Sequence, residues 1–156
     1  MPQLNIKQAL FAFVTGLTDV AALIGQRMYP VKKPQGDIYP QVTYYQTHEH
    51  QLWNMEGPNG SSDYFFSLHC WGTTQDSADL VARTIKGRGT GFSPTRLNGF
   101  KGWLGGPPGT GVFVQTVEVR DLYDDEDHLH NNRPQQDDDV GVFRVFLSVY
   151  LFADEF

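Results

Sequence analysis

At 156 residues the chain has the usual length of one domain, and its 40% apolar and 13% aromatic content is enough to bury a core without staples. This composition excludes an intrinsically disordered chain. A formal charge of −6 argues against a duplex-DNA binder, which gains affinity by setting clustered Lys and Arg against phosphates, and it points to protein partners.

Ile6, Leu10, Val14, Leu17, Ala21 and Ile24 recur every three or four residues, which predicts a helix over 6–24 with Asn5 as N-cap and Gly25 as stop. Gly16 followed by Thr18 offers a second start, with Thr18 as its cap. The apolar run from Ala9 to Ile24 is interrupted by Thr15, Gly16, Thr18 and Asp19, too polar and short for a bilayer span. It also lacks the basic start and cleavage site of a secretory signal. The prolines between Tyr29 and Pro40 predict an extended loop that delivers the chain to a strand over 41–47.

A turn is expected around Gly57-Pro58-Asn59-Gly60, followed by a strand over 64–71 with Tyr64, Phe66, Leu68 and Cys70 on one face. Thr73 to Lys86 reads as a helix, with Thr74 as cap, Asp76 and Asp79 early, and Arg83 and Lys86 late, matching the helix dipole. The Gly- and Pro-rich stretch 87–111 is expected to be mostly loop, with a brief strand near Phe100 to Leu104. A strand over 111–122 shifts its apolar phase between Val114 and Val117, as a bulge requires. In the last strand, over 140–152, Phe143, Val145, Leu147, Val149 and Leu151 alternate with Arg144 and Ser148. The expected architecture is α+β, one domain over 1–156, with an antiparallel sheet of about four strands and two or three helices on one face.

Several motifs invite chemistry. Gly106-Pro107-Pro108-Gly109-Thr110-Gly111 looks like the opening of a P-loop, but Val112-Phe113 begins a strand where Lys, Ser or Thr and a helix are needed. The pairs His48/His50 and His128/His130 could place two metal ligands on one strand face, yet neither matches a metalloprotease helix and one cysteine excludes Cys-rich zinc patterns. Solvated histidines are the simpler reading. The lone Cys70 lies in an apolar strand, where it packs as a small hydrophobe in a reducing compartment. No nucleophile elbow marks a Ser-His-Asp site, so no catalysis, cofactor or metal is expected.

The segment from Asp124 to Asp139 holds seven carboxylates, Asp124, Asp125, Glu126, Asp127, Asp137, Asp138 and Asp139, together with His128 and His130. Mutual repulsion and the near absence of apolar side chains oppose its ordering in the free subunit. Loops of this length in compact domains are functional or disordered. These nine residues are therefore the candidate partner interface.

Taken in order, Asp19-x-x-x-Leu23-x-Gly25-x-Arg27-Met28-Tyr29-Pro30, Pro34-x-Gly36, Pro40-x-Val42-x-Tyr44, Cys70-Trp71 before the helix with Ala78, Leu80 and Ala82, Asp121-Leu122-Tyr123-Asp124, and Phe143-Arg144-Val145 run through the whole chain. This order and spacing resembles the tail-completion, or tail-terminator, family of long-tailed double-stranded DNA phages. The resemblance implies a virion subunit, made in the host cytoplasm, that forms a ring, usually hexameric, at the head end of the tail. Its implied partners are further copies of itself, the major tail tube protein and a neck or head-completion protein. Genome DNA would pass through the ring without sequence-specific binding, and no membrane, cofactor or catalysis is implied. The stretches 87–111 and 124–139 depart from the family pattern. Other readings are a different connector, neck or tube ring component, or, from a different class, a metal-dependent hydrolase using the histidine pairs.

Overall fold

The computed structural model describes residues 4–31, 38–89, 96–124 and 143–154. Helix α1 (Ile6–Gly16) starts at a capping box: the Asn5 side chain accepts from the Gln8 backbone N–H at 2.8 Å, and Gln8 Oε1 accepts from the Asn5 N–H at 3.0 Å. Helix α2 (Thr18–Ile24) follows after a bend of 88° at Leu17, and Gly25, at φ 59°, ends it. Two helices therefore replace one, but Thr18 is the first helical residue and not the cap; Leu17 occupies that position without a side-chain bond. The bend also resets the apolar phase. Val20 is fully buried and Ala21 only half-buried, whereas an unbroken helix would have buried Ala21.

The sheet has six strands in the order β1-β2-β3-β6-β5-β4, where about four were expected. They are β1 (Met28–Pro30), β2 (Gln41–Asn54), β3 (Gly57–Gly72), β4 (Gly102–Leu104), β5 (Val112–Asp124) and β6 (Phe143–Asp154). The pair β1–β2 is parallel and the rest are antiparallel, so the sheet is mixed. The Tyr29–Pro40 stretch, expected to be all loop, begins with β1, which three residues suffice to build because Arg27 fixes them. Its Nε donates to the Pro40 carbonyl at 2.9 Å and its Nη2 to the Leu23 carbonyl at 3.0 Å, clasping the end of α2 to the start of β2.

Strands β2 and β3 run well past their expected limits. They pair as far as Asn54 with Gly57, so the reversal falls at Met55–Glu56 and not at Gly57–Gly60, which lies within β3. Expectation stopped at Thr47 because the exposed half of this hairpin has no buried face to show as alternation. The phase shift in β5 is a register break between Val114 and Thr116, as the sequence required, and a second break falls between Val119 and Asp121.

Helix α3 (Gln75–Lys86) is capped by Thr74, whose Oγ1 accepts from the Ser77 N–H at 3.1 Å, and it ends at Gly87. Ala78, Val81, Ala82 and Ile85 are buried against β3 and β6. One face of the sheet thus carries the core: Phe66, Leu68 and Cys70 of β3, Val145 to Ala153 at alternate positions of β6, and Val114 and Val117 of β5, covered by the three helices. No single helix among the described residues is long and apolar enough to cross a bilayer.

Loop 105–111 lies against α1. The Leu4 N–H donates to the Thr110 carbonyl at 2.8 Å, and Gly105, at φ +78°, is so close to α1 that a Cβ there would stand 2.5 Å from the Ala9 carbonyl oxygen. Within the P-loop-like motif, Gly111 is used for close backbone packing, since a Cβ there would stand 2.5 Å from the Leu104 carbonyl oxygen, and Val112 then opens β5.

Candidate interaction surface

The sheet face turned away from the helices is built by the alternate residues of the same strands, and it is aromatic. Sheet order sets four strands side by side there: Thr43 stands opposite His69, His69 opposite Phe146, and Phe146 opposite Tyr123. Phe146 meets the His69 ring edge-on at 4.5 Å and stacks on Tyr123 at 5.0 Å, while His69 touches Tyr45 at 5.2 Å. The Arg144 guanidinium lies 4.6 Å from the Phe146 ring and 4.8 Å from that of Trp71. Trp71 Nε1 in turn donates to Thr43 Oγ1 at 3.0 Å.

A second cluster lies further along the same face. Phe65 and Tyr150 are 5.1 Å apart, with the Arg120 guanidinium 4.2 Å from the Tyr150 ring. Arg120 is available to this face because the register break beside it frees one residue from the ladder. Between the clusters Ser67 and Ser148, paired across β3 and β6, are too short to fill the surface. They floor a groove of about 370 Å³ walled by Tyr45, Phe65, Tyr123 and Arg120.

The electrostatics of this face are mixed. Arg120 is engaged by Glu118 at 3.1 Å, and Asp63 accepts a short hydrogen bond from the Tyr150 hydroxyl. Burial, then that bond and the charge of Asp63, push the Tyr150 phenol up to about 12. With Asp63, Glu118 and Asp121 beside Arg120 and Arg144, the face is not the basic surface that a phosphate backbone needs. Tyr, Trp and Arg presented together on a half-buried face are instead the residue types that dominate protein–protein interfaces. Tyr45 is 37% exposed and Tyr123 48%, and at the hairpin tip Trp53 is 67% exposed.

Of the nine candidate interface residues, only Asp124 falls in the described residues. It is exposed at the end of β5, where Oδ1 accepts from Gln75 Nε2 at 2.6 Å. Asp125, Glu126, Asp127, His128, His130, Asp137, Asp138 and Asp139 lie outside them. His48 and His50 are exposed with stacked rings 6.3 Å apart, and His50 Nδ1 is 3.9 Å from Asp63. No group of three potential metal ligands occurs among the described residues. Cys70 is fully buried in the core, which pushes its thiol far above the ordinary range and makes it a poor nucleophile.

The aromatic face was missed from sequence. Its residues read individually as the outward half of each alternating strand, and the usable signal was that this half holds Trp71, Phe146, Tyr150 and Tyr123 where solvent-facing strands carry polar residues.

Fold and surface together define a small α+β protein with an aromatic and arginine-bearing face on the side of its sheet away from the helices. No protein-family model matches the chain and no curated protein matches its sequence. Among solved structures, a chain of the virion of a native gene transfer agent particle is similar over 96% of this chain and 94% of that one, with a TM-score of 0.61 and 13% identity. At that identity the likeness establishes a shared fold.

Proposed function

We propose that this protein is a structural component of a virion, and specifically the tail-completion subunit that caps the tail tube as a ring and offers a surface to the neck. The observation that carries the reading is the end-to-end likeness of fold to a chain of a gene transfer agent virion, covering nearly all of both chains. A chain that matches over its whole length has the same elements to build contacts from. The uncovered aromatic and arginine face supplies what a virion subunit needs and a solitary domain does not. The ordered sequence pattern from Asp19 to Val145 supports the finer assignment to tail completion. In this reading the protein works without catalysis or cofactor. The net charge of −6 per subunit suits a ring through which DNA slides, since like charge keeps the backbone from adhering.

Removal of the gene from the producing element, followed by electron microscopy, tests the assignment. The expected result is filled heads and separate tails that fail to join, with the protein located at the head-proximal end of complete tails. Joined particles formed without the protein would overturn it. Density located within the tube or in the head-closure ring would make this a different ring component of the same assembly.

A further inference from the structure

The β2–β3 hairpin runs past the rest of the sheet. Strand β6 accompanies β3 only as far as Ser61, which pairs with Asp154, and β1 accompanies β2 only from Val42 to Tyr44. From Leu52 to Gly60 the hairpin is therefore a two-stranded arm with no third strand beside it among the described residues. Such an arm is marginal in water and is steadied by a further strand or a packed face. Its turn is nonetheless well built: Asn54 Oδ1 accepts from the Glu56 N–H at 2.9 Å, and Gly57 follows at φ +123°. The arm ends in a fully exposed Met55 and a largely exposed Trp53. Trp and Met are residue types that anchor in a partner's pocket.

The groove over Ser67 and Ser148 has the complementary form. Tyr45, Phe65 and Tyr123 give it ring walls, and its volume of about 370 Å³ leaves room for an indole or a thioether over the two serines. The Arg120 guanidinium at its rim already lies on the Tyr150 ring and offers the same contact to an inserted indole. Asp121 lines the groove beside Arg120, and the exposed pair of Arg120 with Glu118 is worth little, so ring contact and not net charge carries the affinity. Strand β3 is continuous over Gly57–Gly72, and its stretch from Gly57 to Ser67 is roughly 30 Å long at about 3.3 Å per residue. The tip therefore cannot fold back onto the groove of its own chain.

We propose that the hairpin tip of one copy, Trp53 with Met55, seats in the Ser67–Ser148 groove of the next copy. Every copy carries both parts: an arm with large exposed apolar side chains, and ring walls over a floor of two serines. They are different surfaces far apart on one chain, so the contact is head-to-tail, and its repetition gives a ring where the rotation closes. Burying one large aromatic side chain removes about 150–250 Å² from water, well short of the ~800 Å² per partner of a stable interface. Free copies therefore associate weakly, and the contact becomes strong where a ring repeats it. The inference rests on the ring assembly proposed above and names the surfaces that make it.

Photo-crosslinking of the full chain tests the contact. The substitution Trp53→p-benzoylphenylalanine puts a photoreactive aromatic group at the exposed tip, and illumination of concentrated protein and of complete particles is followed by mass spectrometry. Mixing isotopically light and heavy copies tells links between copies from links within one. The expected product joins position 53 of one copy to the peptide of another copy that contains Ser67 or Ser148. Adding Ser148→Arg, which fills the groove, should lower the yield of that product roughly tenfold, with thermal unfolding to confirm that the chain is folded. If the filled chain does not fold, the mapped link alone decides. No such product in either sample, links from position 53 to another part of the chain or to a different protein, or an unchanged yield in a folded Ser148→Arg chain would each overturn the contact. The tail assignment is judged separately, by where the protein lies in the particle, and it stands if the protein is at the head end of tails whatever position 53 touches.

Discussion

The two faces of the sheet are built from the same strands and follow different rules. On the helix side Leu68, Leu147 and Leu151 are aliphatic, fully buried and touched on all sides. On the open side Trp71, Phe146 and Tyr150 are only half-buried, and much of their cover comes from each other and from two arginines. A face that stabilises the monomer uses side chains whose whole surface leaves water, whereas a face reserved for a partner keeps large rings at the surface and steadies them with polar groups. Substitutions on the first should therefore be read in stability, and those on the second in assembly.

The largest effect is expected on the helix side. Leu147→Ala leaves a cavity at a fully buried position of the central strand and should cost about 2–5 kcal/mol in denaturant unfolding. A cost below about 1 kcal/mol would mean that the helices are not closely packed on this face. Next comes Gly105→Ala, where both the positive φ and the Ala9 carbonyl oppose a methyl group; we expect a loss of about 1–3 kcal/mol, and an unchanged unfolding midpoint would show that loop 105–111 stands off α1.

Cys70→Ala is a milder change on the same side. It should cost about 1 kcal/mol and leave particle assembly normal, since the thiol is a packing group. Folded Cys70→Ala protein that fails to join heads to tails would assign the cysteine another task. Across the sheet, Tyr123→Ala removes an exposed ring and should alter stability by only about 0.5 kcal/mol, yet lower the yield of joined particles. If joining is normal, the aromatic face is not an interface.

The last effect concerns Tyr150 and is silent at neutral pH. Its phenol ionises more reluctantly in the folded chain than its ordinary value of 10.0, at about 12. The folded state is therefore favoured while the group is protonated; that advantage is complete below pH 10 and is lost as pH rises toward 12. Tyr150→Phe should remove this alkaline decline without changing stability at neutral pH through ionisation. Equal alkaline slopes for the two proteins would place Tyr150 away from Asp63 in solution.

Legibility followed the range of the interactions. The Asn5 and Thr74 caps, the Gly25 stop, the end of α3 at Lys86, the bulge after Val114 and the alternation of Val145 to Leu151 each involve residues close in the chain, and each could be read before the fold was known. Strand β1 could not, because three residues carry no periodicity and its pairing to Val42 depends on the Arg27 clasp. Nor could the outer half of the β2–β3 hairpin, whose exposed residues leave the phase silent.

By itself the sequence determined the α+β class, most of its helix ends and the phase of its longest strands. Only tertiary structure decided the strand order and, through it, the open face. Tyr45, His69, Phe146 and Tyr123 come from four different strands, and they become one surface because β6 inserts between β3 and β5. Side-chain alternation says which half of a strand points outward, but cross-strand register, fixed by hydrogen bonds between distant segments, decides which outward residues become neighbours.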